Sequence, residues 1–404
     1  MIQSNSIERT AIALFLCLSL MRTGILYAQQ GEATSGATQV DSSVIDVEFK
    51  HSHGTLNTQA EVKARYADGS LLLLTPDGQL WTVLGEEIFR QSPVANRMNP
   101  LGADDIFSQL DPPLGDDFSV LSTRHYVLVF NTSEIYARWV AELFERLHRG
   151  FNNYWRSRNV ELCEPRFPLV AIVFKDRASY LAYAEPEIGK TAQSMIGYYN
   201  LKTNRIVTFD LTGVDGFVPD NRRISSAVVI NQILSQPQAE RTVATIVHEA
   251  VHQLSYNCGL QTRLADNPLW LSEGLAMFFE TPDVSNSKGW GAIGKVNLYN
   301  YQLFAQYLKR RSSDSLTTLI ADDDRFRNAE SAKDAYAESW ALTYFLMKSR
   351  AREFSKYLQE MSQLPPLGEV DARQRLDTFR KYFGDDLASL DREFLNYLKR
   401  LQIR

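Results

Sequence analysis

Residues 241–257 read RTVATIVHEAVHQLSYN. Val243, Ile246, Val247, Ala250, Val251 and Leu254 recur at spacings of three and four, which predicts a helix with one buried face. His248 and His252 stand one turn apart on a common side of that helix. Imidazole nitrogens so placed both reach one Zn²⁺ at about 2.0–2.1 Å. Glu249, one residue on, points beside such an ion, where a general base would act on water. The pattern H-E-x-x-H is short enough to arise by chance, and the competing reading is a helix with two ordinary histidines. A third ligand separates the two readings.

Two residues compete for that place. Cys258 stands where a longer form of the motif puts a third histidine, but that form turns sharply at a glycine. Ser255 occupies the corresponding position here, so the helix is expected to continue and carry Cys258 away, with Gly259 as its stop. The other residue is Glu273, within DNPLWLSEGLAMFFETP at 266–282. Asn267 and Pro268 read as N-cap and first residue of a second helix, and Pro282 ends it. Glu273 sits among Leu269, Trp270, Leu271, Leu275, Ala276, Phe278 and Phe279. A carboxylate in such company is costly unless it is paired or bound to a metal. Two histidines, one glutamate and an open water position make a catalytic zinc pattern. The competing reading puts Glu273 on a polar surface.

HEAVHQ followed by WLSEGLAMFFE resembles the gluzincin metallopeptidases, the thermolysin-like group. The wording PLWLSEGLA is especially similar to peptidase-MA-like domains of exported bacterial proteins. The resemblance covers roughly 240–350, with a looser likeness upstream. It implies one Zn²⁺ per chain held by His248, His252 and Glu273, with Glu249 as catalytic base. The likeness also has departures. All other histidines (His51, His53, His125 and His148) lie upstream of the motif, so the downstream histidine of thermolysin-like enzymes has no counterpart. Tyr336 is the expected oxyanion donor in its place, by analogy with the aminopeptidase branch and because a phenol can donate to a developing oxyanion. Its competing reading is a core stripe with Trp340 and Tyr344. No G-A-M-E-N-like stretch supports an aminopeptidase amine anchor.

Working outward, 404 residues suggest about two to three domains at ~150 residues each. A net charge of −5 gives no reason to expect nucleic acid as a partner, and no phosphate-binding glycine motif is present. Arg9 precedes AIALFLCLSLM at 11–21, a run too short to span a bilayer, which needs about 20 residues. It reads as a secretory signal peptide over 1–28, cut after Ala28. Export to the periplasm, envelope or exterior follows, with no membrane span after cleavage. Cys163 and Cys258 are then the remaining cysteines, an even pair open to one disulfide or to two separate thiols.

Residues 29–43 are small and polar and read as a flexible linker. Residues 44–90 alternate strand formers with A-D-G and P-D-G turns, which predicts a small β-rich, barrel-like module of three to five strands. Its partner is unknown, and His51 and His53 read as an exposed pair, with metal ligation from one strand face as the competing reading. Residues 91–122 read as a second linker. From 123 to 404 the pattern is βαβ-like, with a hairpin over 195–210, and then helical near 240–257, 268–280, 297–311, 331–362 and 384–402. The expected fold class is α+β, a β-rich module before a zincin-like domain. The expected function is an exported zinc peptidase acting on a peptide or protein. A catalytically inactive zinc-binding scaffold and a zinc hydrolase of a non-protein amide are the alternatives.

Overall fold

The computed structural model describes residues 43–52, 54–110, 112–213, 226–281 and 293–401. The expected signal peptide, all but the end of the 29–43 linker, and His53 lie outside the described residues. The architecture is α+β, with two five-stranded sheets followed by a mainly helical region.

The first sheet contains β1 (Val44–His51), β2 (Gly54–Arg65), β3 (Leu71–Leu74), β4 (Leu80–Val83) and β5 (Ile88–Val94). Its order is β4-β3-β2-β1-β5 and every pair is antiparallel. The A-D-G and P-D-G turns form as expected. Asp68 and Asp77 accept the amides of Ser70 and Gln79, while Gly69 and Gly78 take φ of +84° and +82°, which glycine tolerates best. The sheet is open and not barrel-like, because β4 and β5 do not pair among the described residues. One face buries Ile45, Val47, Phe49, Val62 and Leu73. The other buries Leu72, Leu74 and Leu80 against Phe167 and Leu264 of the following region. Two covered faces explain why β3 reads LLLL without alternation.

The 91–122 stretch holds more structure than a linker. It contains the end of β5, α1 (Ala103–Ser108) and β6 (Ser119–Ser122). β6 is an edge of the second sheet, with β7 (Tyr126–Phe130), β8 (Leu169–Phe174), β9 (Gly197–Asn200) and β10 (Arg205–Phe209). The order is β6-β7-β8-β10-β9, with parallel pairs in the centre and antiparallel strands at both edges. α2 (Glu134–Arg156) crosses from β7 to β8, capped by the Ser133 hydroxyl, which accepts the Tyr136 amide. α3 (Arg177–Ile188) precedes the β9–β10 hairpin. The first sheet docks on that hairpin: the Leu80 N–H donates to the Lys202 carbonyl at 2.7 Å, and Asp77 pairs with buried Arg205.

The helical region runs α4 (Ala227–Leu234), α5 (Pro237–Asn257), α6 (Leu269–Phe279), α7 (Leu298–Tyr307), α8 (Ser315–Ala321), α9 (Asp324–Arg327), α10 (Ala332–Ser349), α11 (Ala351–Met361), α12 (Ala372–Phe383) and α13 (Leu387–Lys399). The long helix expected over 331–362 is two, broken at Arg350, whose ψ of +36° leaves the helical region. α4, α8, α9 and α12 lie outside the expected helices. No helix among the described residues is long and apolar enough to cross a membrane.

Candidate metal centre

α5 and α6 carry the centre. α5 ends as its sequence requires: Cys258 is the C-cap, Gly259 follows at φ +82°, and the Leu260 N–H reaches back to the Ser255 carbonyl at 3.0 Å. Cys258 therefore leaves the histidine face and is buried at the helix end, where its carbonyl accepts the Cys163 amide at 3.0 Å; both cysteines are free thiols. α6 begins differently from its sequence pattern. Pro268 is the N-cap, not the first residue, and no side chain of its own caps it. Asn267 instead donates to the carbonyls of Thr262 and Ala265. The Leu269 amide is satisfied from outside the helix by Asp323, which also holds Arg375. A distant carboxylate is available only after folding, so the local Asn-Pro signal misplaced the start by one residue.

The loop between the helices brings Glu273 opposite His248 and His252. All three side chains are buried. His248 Nε2 and His252 Nε2 are 3.1 Å apart. Each lies 3.2 Å from an oxygen of Glu273. The contact with Oε1 lacks hydrogen-bond alignment and leaves that buried oxygen without a donor. A proton between the two imidazole nitrogens satisfies that contact, but it leaves Glu273 Oε1 with no donor. Donors at about 2.0–2.1 Å around a tetrahedral ion stand roughly 3.3–3.4 Å apart. The two nitrogens are slightly closer than that and each meets a different oxygen of Glu273, so the donor set fits one zinc ion after small side-chain shifts. Burial pushes the Glu273 carboxyl up, but His252 and His248 outweigh it and hold it at about 2. The carboxylate is thus present in its ligating form.

Three further contacts complete the arrangement. His248 Nδ1 faces Glu280 Oε2 at 2.7 Å, and the Asn297 amide donates to the other oxygen of Glu280 at 2.6 Å. A carboxylate on the far nitrogen fixes which ring nitrogen keeps its lone pair for a metal. Glu280 was not singled out from the sequence, although it lies two turns after Glu273 on the same face of the helix. Glu249 is buried and accepts the backbone N–H of Tyr199 at Oε2, 2.8 Å away. Burial raises its pKa, against the pull of His248 and His252. Tyr199 belongs to β9, so the edge strand of the second sheet lies directly against the motif helix. Tyr256, one turn after His252, stacks on Tyr199 at 6.0 Å and bonds to Ser272 beside Glu273; burial pushes its phenol up to about 12.

Tyr336 is buried, and its ring meets Phe326 of α9 edge-on at 5.3 Å. It shares a face of α10 with Ser339 and Thr343, which press against Gly274. His51 leans edge-on against Trp81 at 5.5 Å in the first sheet.

A family model described as "Protein of unknown function (DUF1570)" matches residues 242–368, less than half of the chain. No curated protein matches the chain. The matched span contains His248, Glu249, His252, Glu273, Glu280 and Tyr336. The finding is a buried His/His/Glu group inside a region similar to that family.

Proposed function

We propose that the chain is a zinc-dependent peptidase in which His248, His252 and Glu273 hold the metal and Glu249 is the general base. One observation supports this most: two buried imidazole nitrogens 3.1 Å apart, each 3.2 Å from an oxygen of buried Glu273, with the Glu249 carboxylate next to His248 on the same helix. Zinc bound there supplies Lewis acidity that lets water ionise near neutral pH and polarises a carbonyl. Glu249 takes the proton of the attacking water at Oε1, because the Tyr199 amide holds Oε2. It returns that proton to the leaving amine. Its burial makes it a stronger base than an exposed glutamate.

The position of β9 supports a peptide as substrate. The Tyr199 N–H points out of the sheet edge toward Glu249, and period-two alternation turns the backbone of Gly197 the same way. An extended peptide laid along this edge passes over the motif helix. The signal-like N-terminus supports an exported enzyme.

The test measures zinc content and peptide cleavage for the wild type and Glu249→Gln. The amide still accepts from Tyr199 but cannot take a proton. The expected outcome is bound zinc in both and cleavage in the wild type alone. Zinc without Glu249-dependent cleavage of any peptide supports the scaffold. Glu249-dependent hydrolysis confined to non-peptide amides supports the third alternative.

A further inference from the structure

A second cluster of ligating side chains lies outside the motif region. His125 sits just ahead of β7, Glu145 and His148 lie on α2, and Glu164 lies in the connection to β8. All of them precede the span similar to the family of unknown function. One ligand atom from each of His125, His148 and Glu164 falls within 4.8 Å of the other two. His125 Nε2 is 3.1 Å from Glu164 Oε2, within the 3.1–3.2 Å range of the buried centre. The two imidazoles stack at 3.8 Å with an interplanar angle of 25°, so their in-plane lone pairs run nearly parallel and one ring must turn for both to reach a single ion.

The surroundings of His125 resemble those of His248. Its Nδ1 faces Glu145 Oε2 at 2.7 Å. The other oxygen of Glu145 accepts the His125 amide at 2.8 Å and the Thr123 hydroxyl at 2.7 Å. Glu145 is held on three sides, so it favours a proton on Nδ1, and Nε2 is the nitrogen that faces Glu164. Carboxylate behind imidazole is the usual support of a metal-binding histidine. The Asn152 amide stands 3.2 Å from His148 Nε2 and donates to the His148 carbonyl at 3.0 Å; an ion on Nε2 displaces only the first contact.

We propose that His125, His148 and Glu164 form a second zinc site, with Glu145 orienting His125. Two imidazoles and a carboxylate are a zinc-type donor set. Glu164 is exposed, which leaves room for water in the fourth position. The ion would clamp α2 to the connection that carries Cys163, whose amide meets the end of the motif helix. Its role is structural, and it does not depend on the chain being a peptidase.

The test is zinc stoichiometry on the full chain, stripped with chelator and then equilibrated in a zinc buffer. The wild type is expected to bind two equivalents. Glu164→Ala and His125→Ala should each retain one, and Glu273→Gln should retain the other. Glu164→Ala changes an exposed side chain, and far-UV circular dichroism verifies that it folds. Glu145→Gln should weaken the second equivalent about 10–100-fold. The proposal fails if the wild type binds a single equivalent that Glu273→Gln removes. It also fails if the second equivalent survives in both Glu164→Ala and His125→Ala, which would leave His125 as an ion-paired imidazole only.

Discussion

Glu280 stands 2.7 Å behind His248, on the nitrogen that faces away from Glu273. Glu273 in α6 and Glu280 at its C-cap thus address opposite sides of one imidazole, two helical turns apart. Glu273 fits as a ligand, and Glu280 sets the ring's tautomer and tilt through a bond that Asn297 anchors.

Glu280→Gln should therefore weaken zinc about 10–100-fold while the chain stays folded. Competition with a chelator of known affinity measures the change, and equal zinc affinity in both proteins would remove the orienting role.

Two phenols are candidates for stabilising negative charge on a substrate carbonyl. Tyr336 is the expectation drawn from the family resemblance, and Tyr256 flanks Glu273. Loss of a true oxyanion donor costs about 10²–10³ in kcat. Tyr336→Phe and Tyr256→Phe should separate on that scale, with zinc content unchanged in both. A fall for Tyr336→Phe supports it as the donor, and a fall confined to Tyr256→Phe leaves Tyr336 as part of the core.

Gly274 is where α6 and α10 touch. A Cβ there would lie 2.0 Å from Thr343 Oγ1 and 2.8 Å from the Ser339 carbonyl. The hydroxyl can move, but the backbone oxygen cannot without shifting α10. Gly274→Ala should destabilise the fold by roughly 1–3 kcal/mol, beyond any gain in helix propensity. It should also weaken zinc, because the adjacent Glu273 moves with it. Thermal unfolding is expected to show partial recovery in Gly274→Ala with Thr343→Ala, since only one of the two overlaps is relieved.

His148 gives a pH signature in the chelated chain. Burial, with help from His125, lowers its pKa from about 6.5 to about 4. The unfolded chain therefore takes up this proton first as pH falls. The stabilising effect of keeping His148 neutral is fully present above pH 6.5 and lost between 6.5 and 4, amounting to at most about 3 kcal/mol. Chemical denaturation across that window should fall more steeply for the wild type than for His148→Gln, and equal slopes would refute this assignment.

Local chemistry made much of this molecule legible. The D-G turns and the Gly259 stop each depend on neighbours within a few residues, so sequence reading placed them correctly. The motif helix forms as its period predicts, with His248 and His252 one turn apart, but it is buried nearly all round and not on one face alone, because β9 and α6 cover the side that carries the histidines. Errors came where a partner is remote. The start of α6 depends on Asp323, more than fifty residues away in the chain, and the 91–122 stretch gains β6 only by pairing with β7.

The sequence by itself determined that His248, Glu249 and His252 share one helix and that Glu273 sits in an apolar one. Only the tertiary structure decided that these helices face each other with each histidine 3.2 Å from an oxygen of Glu273, that Glu280 backs His248, and that Tyr199 of an edge strand holds Glu249. Periodicity reports the orientation of a residue around its own helix. The distance between two helices depends on how their surfaces pack, and here Gly274 sets how closely α6 approaches α10.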